Sequence, residues 1–226
     1  MTCSASECIL ACIVWKVIRK KKSIFTTTSI HIFTGICCNL IRLGSPEGGR
    51  LADAVGHQIG IEVAISELSK SPSLSQKTVE NYLDILEKMF VLVNIRGFSR
   101  NLRKEVTKTS RYYFVDVGVR NALIRSFVPL SVRNDVGELF ENWFVMERIK
   151  LANNHRRSTG FYFLRTYDQH EIDLVEDLDG RLMGFECKWT PKSRVKVPKD
   201  WLQQHPEASF EVVSLVNWMG FLEDKI

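Results

Sequence analysis

The chain has 226 residues, of which 45% are hydrophobic and 25% charged, with a formal net charge of +5. This is the composition of an ordinary soluble protein with room for one large domain or two small ones. Residues 1–50 hold seven of the 31 Lys and Arg residues and two of the 26 Asp and Glu residues, so the rest of the chain holds 24 of each. Because that larger part is electrically balanced, its net charge gives no argument for nucleic-acid binding. Only local patches of positive charge could support such binding there.

Five of the six cysteines fall within the first 38 residues, and Cys187 stands alone later in the chain. No Cys-x-x-Cys pair has zinc-finger spacing, which argues against a structural zinc site. Nothing in the spacing suggests a disulfide framework, so we expect a reducing, cytoplasmic environment.

Residues 1–47 differ from the rest of the chain. Their apolar run, Ile9–Trp15, ends at Lys16 and is far too short to span a bilayer. The basic cluster follows the apolar run, whereas a secretory signal has its charges first. A basic amphipathic segment that touches a membrane is one interpretation. A poorly ordered or non-native leader is the interpretation we favour, and no membrane partner is expected.

Deleting residues 1–47 should leave the thermal unfolding midpoint nearly unchanged, because the segment shows no helix caps and no clean hydrophobic period. The measurement is thermal unfolding of the full-length and shortened proteins side by side. A large drop in the midpoint would mean that the segment is an integrated part of the fold.

Residues 48–100 are predicted to form a winged-helix module. The first helix carries an apolar stripe, the second begins at Ile65, and Ser75 is a good N-cap for the third. The stripe of the first helix is Leu51, Val55, Ile59 and Val63, and a strand over Phe90–Ile95 is expected to break at Gly97. The third helix resembles the entry to a recognition helix, with Gln76, Lys77 and Asn81 as candidates for reading DNA. The alternative is that the module only packs against a neighbour, since the same helix carries Glu80, Asp84 and Glu87.

Residues 101–135 are predicted to connect this module to the next. A basic turn at the start of the connector brings together three cations that could bind phosphate, Arg100, Arg103 and Lys104, although such clusters are more often simply solvated. A strand over Arg111–Asp116 and a short helix over Gly118–Ile124 follow.

Residues 136–226 are predicted to form an α-β-β-β-α-β unit. Val136–Leu151 has helical periodicity, with Glu141 at the border of its apolar stripe. Phe161–Arg165 is the first strand, and Asp179-Gly180 joins the next two as a hairpin turn. A helix around Pro198–Gln204 and a strand over Phe210–Val216 complete the order.

Three charged residues of the hairpin could meet on one side of the sheet. Glu186 and Lys188 stand two apart on the second strand, and Asp173 lies on the first. Two carboxylates, with the carbonyl of Cys187 as a further ligand, would suit Mg²⁺ or Mn²⁺ at about 2–2.6 Å. Such a metal would activate water and neutralise charge on a phosphate, and the lysine could hold that water or meet the same charge.

The acid, spacer and Glu-x-Lys pattern resembles the core of the PD-(D/E)xK nuclease superfamily. The resemblance implies a restriction-endonuclease-like fold, catalysis by Glu141, Asp173, Glu186 and Lys188, and metal binding by Asp173, Glu186 and Cys187. Glu141 is included because the helix before the strands supplies another acidic residue in that superfamily. The pattern on its own occurs often by chance, and a solvated polar face on an edge hairpin is the alternative.

From about Leu51 onward the chain also resembles the C-terminal part of a bacterial and archaeal family of AAA-type ATPases. The resemblance rests on six stretches in the same order: Gly97–Lys104, Tyr112–Gly118, Gly137–Asn142, Phe163–Tyr167, Glu171–Asp173 and Phe185–Lys188. It implies a winged helix followed by a PD-(D/E)xK-like domain of unknown function. The family's phosphate-binding loop, G-x-x-x-x-G-K-[ST], occurs nowhere in this chain, so ATP is not an expected cofactor. A truncated or disrupted product, or a partner ATPase encoded separately, would account for its absence.

The sequence therefore predicts an α/β (α+β) protein with two open functions. One is a metal-dependent DNA endonuclease. The other is a non-catalytic module that binds DNA or a protein partner and keeps the nuclease-like fold.

Overall fold

The structure is a computed structural model that describes residues 46–70, 73–98, 109–165, 171–191, 197 and 199–223. The predicted leader therefore lies outside the described residues, apart from Pro46 and Glu47, which begin the first helix. The basic turn of Arg100, Arg103 and Lys104 also lies outside them.

The described part of the chain contains both helices and strands, interspersed along the sequence. The helices are α1 (Pro46–His57), α2 (Ile65–Leu68), α3 (Gln76–Lys88), α4 (Val117–Leu123), α5 (Val136–Asn154), α6 (Lys199–Gln204) and α7 (Met219–Leu222). The strands are β1 (Glu62–Ala64), β2 (Leu92–Gly97), β3 (Thr109–Phe114), β4 (Thr159–Arg165), β5 (Glu171–Leu178), β6 (Arg181–Lys188) and β7 (Ser209–Ser214). The protein is α/β, and from α5 to β7 the elements follow the predicted α-β-β-β-α-β order. Among these helices none is both long and apolar enough to cross a membrane.

Several local signals act as the sequence predicts, and two do not. The Ser75 hydroxyl accepts a hydrogen bond from the Thr78 N–H at 3.1 Å and so begins α3. The helical stripe predicted to reach Val63 is wrong, because α1 ends at His57, Gly60 turns the chain at φ 69°, and Val63 lies in β1. Gly97 does not break β2 but is its last residue, paired with Phe163.

The β5–β6 hairpin forms at the predicted dipeptide. Asp179 and Gly180 have φ values of 53° and 84°, the left-handed pair that a type I′ turn requires. The Gly180 N–H also donates to the Asp177 carboxylate at 2.9 Å. The turn fixes the register of the two strands, in which Leu178 pairs with Arg181 and Leu174 with Phe185.

All seven described strands form one sheet in the order β1-β3-β2-β4-β5-β6-β7. The pairs β2–β4 and β6–β7 are parallel, and the others are antiparallel. The β2–β4 pair joins the predicted winged-helix segment to the predicted nuclease-like segment through Arg96 with Tyr162 and Gly97 with Phe163. The two segments therefore share one sheet, with β1 at one edge and β7 at the other.

The sheet is covered on both faces beside the hairpin. Helix α5 packs Phe144 against Phe185 of β6, with the ring centroids 5.5 Å apart and edge to face. Trp201 of α6 lies with Ile172 and Val175 of β5 in a separate buried cluster. A third cluster holds α1, α2 and α3 against β2 and β3. Strands β5 and β6 are therefore rigid central elements on which a site can be held.

Asn142 fixes α5 to the end of β3. Its side chain is buried. The amide accepts a hydrogen bond from the Phe114 N–H at 2.7 Å and donates one to the Phe114 carbonyl at 2.8 Å, as the backbone of an adjacent strand would. Both backbone groups would otherwise be buried without partners. Since Glu141 precedes Asn142, this contact also positions Glu141 beside β3.

Replacing Asn142 with Leu should lower the free energy of unfolding by about 2–4 kcal/mol, because two buried backbone groups lose their partners. Urea unfolding measures the loss. The matched control is Asn153→Leu on the exposed side of the same helix, which should change stability by no more than about 0.5 kcal/mol. Equal effects of the two substitutions would contradict the anchoring role.

Candidate functional site

A β-bulge in β5 positions Asp173. Tyr162 pairs with Val175 and Leu164 with Ile172, so both Asp173 and Leu174 lie opposite Phe163 alone. An extra residue of this kind redirects the side chains around it and is common beside functional sites. The paired register of β5 and β6 runs as far as Leu174 with Phe185. Beyond it, the Asp173 carboxylate accepts the Cys187 N–H at 2.8 Å, which locks the carboxylate between the two strands.

Glu186 and Lys188 lie on the same side of β6, as their spacing predicts. Lys188 Nζ forms an ion pair with Glu186 Oε1. The other carboxylate oxygen, Glu186 Oε2, is buried and has no hydrogen-bond partner among the described residues. Burial raises the pKa of Glu186, the charge of Asp173 raises it further, and Lys188 opposes both effects. Asp173 and Glu186 therefore influence each other electrostatically.

Glu141 enters the same region from α5. Its Oε1 accepts a hydrogen bond from the Tyr113 hydroxyl at 2.6 Å. Gly60 leaves the space for this carboxylate, since a Cβ atom there would stand 2.9 Å from Glu141 Oε1. Burial raises the pKa of Glu141 well above its ordinary value of 4.5, and the charge of Asp173 adds to the rise. The contacts with Arg111 and Tyr113 oppose that rise without reversing it.

Arg111 of β3 connects the acidic groups. Its Nη1 lies 3.4 Å from Asp173 Oδ1 and 3.5 Å from Glu141 Oε1, and its Nη2 donates to Glu171 Oε2 at 3.1 Å. The guanidinium also lies over the Phe163 ring, 4.8 Å from the centroid. Burial lowers the pKa of Arg111, but the neighbouring negative groups outweigh burial and leave the pKa raised. Arg111 therefore stays charged inside the cluster.

The acidic cluster beside β5 and β6 offers oxygen donors to a metal ion. Asp173, Glu186 and the Cys187 backbone carbonyl are the predicted ligands, and hard oxygen donors of this kind suit Mg²⁺ or Mn²⁺. Glu186 Oε2, for which the described structure contains no hydrogen-bond donor, fits that chemistry, because a buried carboxylate oxygen requires a cation or a donor. Within the described part of the chain, no three Asp, Glu, His or Cys side chains stand close enough to hold a metal together. Arg111 bridges two of the acids instead.

Sequence reasoning missed three members of the cluster: Arg111, Tyr113 and Glu171. Arg111 lies in β3 (Thr109–Phe114) and is followed there by three aromatic residues. An arginine beside such a buried aromatic run requires a carboxylate partner. That signal could have marked Arg111 as a site residue. Its partners could not be identified from sequence, because they lie 30 to 62 residues away.

The candidate DNA-reading residues are exposed on α3. Gln76, Lys77 and Asn81 all face solvent in the described structure. On the same helix Lys88 is paired with Asp84 at 2.7 Å, so part of its positive charge is already neutralised. The arrangement leaves the three side chains available to a partner without giving α3 a basic surface.

Two families match successive parts of the chain. Residues 40–130 match the family described as "Domain of unknown function (DUF8612)", and residues 136–217 match the one described as "Domain of unknown function (DUF4143)". Arg111 and Tyr113 fall in the first match, whereas Glu141, Asp173 and Glu186 fall in the second. The acidic cluster is therefore built from both matched regions.

The chain is also similar to curated mycobacterial proteins. An uncharacterized protein of Mycobacterium tuberculosis and one of Mycobacterium bovis are each 28% identical to it over 154 residues. That stretch is 66% of this chain but 34% of each relative, so the chain spans about a third of the length of the curated relatives it matches. No solved structure matches the chain.

Replacing Glu141 with Gln should make stability less dependent on pH. The folded pKa of Glu141 is raised above its ordinary value of 4.5, so the folded state holds its proton more tightly than the unfolded state. The stabilisation is complete at low pH and is lost as pH rises through the raised pKa. The free energy of unfolding of Glu141→Gln relative to wild type should therefore rise with pH.

Urea unfolding at several values between about pH 4.5 and 8 measures this trend. Glu80→Gln, at an exposed position of α3, is the control and should follow wild type at every pH. If the Glu141→Gln and wild-type curves ran parallel, Glu141 would not be the buried acid that the structure indicates.

Proposed function

We propose that this protein hydrolyses DNA phosphodiester bonds with a divalent metal, using Asp173, Glu186 and Lys188, with Glu141 as an additional acid. The observation that carries the proposal is the buried Glu186 Oε2, which has no hydrogen-bond partner in the described part of the chain. It follows the last β5–β6 pair, Leu174 with Phe185, and its neighbour Asp173 has a carboxylate fixed by the Cys187 N–H. A buried oxygen of this kind in an acidic cluster favours a cation as its missing partner.

In this proposal the chain's own residues have separate tasks. Asp173 and Glu186, with the Cys187 carbonyl, would hold Mg²⁺ or Mn²⁺, which when bound supplies an acidified water and neutralises charge on the phosphate. Lys188 would hold that water or stabilise the charge that develops on the phosphate, because its ammonium lies beside Glu186 on the same side of β6. Glu141, whose Oε1 accepts the Tyr113 hydroxyl, would be the additional acid of the site.

The proposal assigns DNA contacts to residues outside this cluster. Gln76, Lys77 and Asn81 are exposed on α3 and would reach the DNA, as the resemblance to a winged-helix module implies. The basic residues Arg100, Arg103 and Lys104 would bind phosphates. A separately encoded ATPase is the partner we propose from the family resemblance, and the cytoplasm is the proposed compartment.

A non-catalytic module is the second candidate, and one observation favours it. Arg111 already supplies a cation to Glu141 and Asp173, as it would in a cluster that is purely structural. Such a protein would keep the nuclease-like fold and bind DNA or a protein without cleaving DNA.

If the site is catalytic, Lys188→Met should reduce metal-dependent cleavage by about two to three orders of magnitude while leaving the fold intact. Asp173→Asn should abolish cleavage by weakening metal affinity, and excess Mn²⁺ should restore part of it. The assay uses supercoiled, single-stranded and branched DNA with purified proteins. Lys70→Met, at an exposed turn, is the matched control and should cleave like wild type.

The outcomes separate the two candidates. Equal cleavage by wild type and both site variants would indicate a contaminating nuclease or a different site. Absence of cleavage by wild type on all three substrates with Mg²⁺ and Mn²⁺ would support the non-catalytic module.

A further inference from the structure

We infer that this protein pairs with a second copy of itself through an apolar loop, residues 127–132, that inserts into a depression beside α1 of the other copy. The contact is made twice, once in each direction, about a twofold axis. This surface lies outside the acidic cluster, and the inference does not depend on the proposed function.

Apolar side chains dominate the loop between α4 and α5. Residues 127–132 read Phe-Val-Pro-Leu-Ser-Val, and Phe127, Val128 and Val132 are 66%, 51% and 71% exposed. Single exposed apolar residues are ordinary on a protein surface, whereas several grouped in one place mark an interaction surface. Covering them with a partner would remove apolar area from water and so favour association.

Arg133 closes the neck of this loop. Its side chain is 3% exposed, and it donates to the Ser126 carbonyl at 3.0 Å and to both carboxylate oxygens of Asp135 at 2.7 Å. Arg120 binds the same carboxylate and donates from Nε to the Gly56 carbonyl at 2.8 Å, which ties the loop to α1. The loop is therefore held in place before a partner binds, so little conformational entropy is lost on association.

An open depression of about 430 Å³ lies next to the loop. Its lining includes Arg50, Asp53 and His57 of α1, and Leu123, Ile124 and Arg125 at the end of α4. A cavity of about 150 Å³ admits a benzene ring, so this depression has room for a phenylalanine side chain and a neighbouring valine. Leu123 and Ile124 offer apolar contact, and the guanidinium groups of Arg50 and Arg125 can lie over the face of an aromatic ring.

The loop and the depression lie on the same side of the molecule, as a twofold contact requires. Arg125 lines the depression and Phe127 begins the loop, so their Cα atoms are no more than about 7 Å apart. The loop does not occupy the depression of its own chain, because Phe127 is not among the lining residues and remains mostly exposed. A second copy can therefore receive the loop and insert its own loop in return.

Sedimentation velocity of the full chain, from about 1 to 100 μM, tests this pairing, and we expect a reversible monomer–dimer equilibrium. Phe127→Ser should weaken dimerisation at least about tenfold, because an aromatic anchor is lost, and Val132→Ser should also weaken it. The matched control is Phe90→Ser, which removes a phenylalanine that is 81% exposed and lies outside both the loop and the depression. It should dimerise like wild type.

Photo-cross-linking identifies what occupies the depression. The cross-linking amino acid p-benzoylphenylalanine replaces Phe127, and unlabelled protein is mixed with isotope-labelled protein before irradiation. Mass spectrometry should find a cross-link between two chains, from position 127 of one copy to α1 or to residues 123–125 of the other.

The outcomes decide the inference. A wild type that stays monomeric throughout the concentration range would overturn it, and so would an equal loss of dimer in Phe127→Ser and Phe90→Ser. Cross-links confined to one chain, or directed to another surface of the second copy, would also overturn it. A monomeric wild type that dimerises only after residues 1–45 are removed would assign the depression to that segment and contradict the pairing of intact chains.

Discussion

The parallel pairing of β2 with β4 is the contact on which the candidate site depends. It consists of Arg96 with Tyr162 and Gly97 with Phe163, extended by the Phe98 N–H donating to the Phe163 carbonyl at 2.7 Å. Through this pairing the strand that carries Arg111 becomes part of the same sheet as the strand that carries Asp173. Without this pairing, Arg111 of the first matched region would not lie beside the acids of the second.

Burial and charge are closely balanced in the cluster. Carboxylates that leave water must be paired or protonated, and here both effects are visible. Arg111 pairs with three of them, while burial raises the pKa of Glu141 and Glu186. The two candidate functions differ in whether this balance is complete as it stands or requires an added metal. Glu186 Oε2, which lacks a hydrogen-bond partner among the residues that the structure describes, favours an added metal. The Arg111 bridge between Glu141 and Asp173 favours a cluster that needs no metal.

Much of the secondary structure could be predicted because it depends on neighbours in sequence. The cap at Ser75, the type I′ turn at Asp179-Gly180 and the order from α5 to β7 all follow from spacing of a few residues. The first helix was predicted too long, because Val63 continues an apolar spacing that serves equally in β1. Hydrophobic period alone cannot reveal that Gly60 has left the helical region of φ and ψ.

The sequence by itself determined which acids and which lysine stand on the hairpin, since a period of two places Glu186 and Lys188 on one side of a strand. It could not determine the bulge opposite Phe163, because a bulge is a property of the pairing between two strands. Nor could the sequence reveal that Arg111 contacts Asp173, which is 62 residues away, with two strands of the sheet between them. Local spacing determines the direction of a side chain along a strand. Only the packed sheet determines which charged side chains come into contact, and the energy of buried charges depends on those contacts.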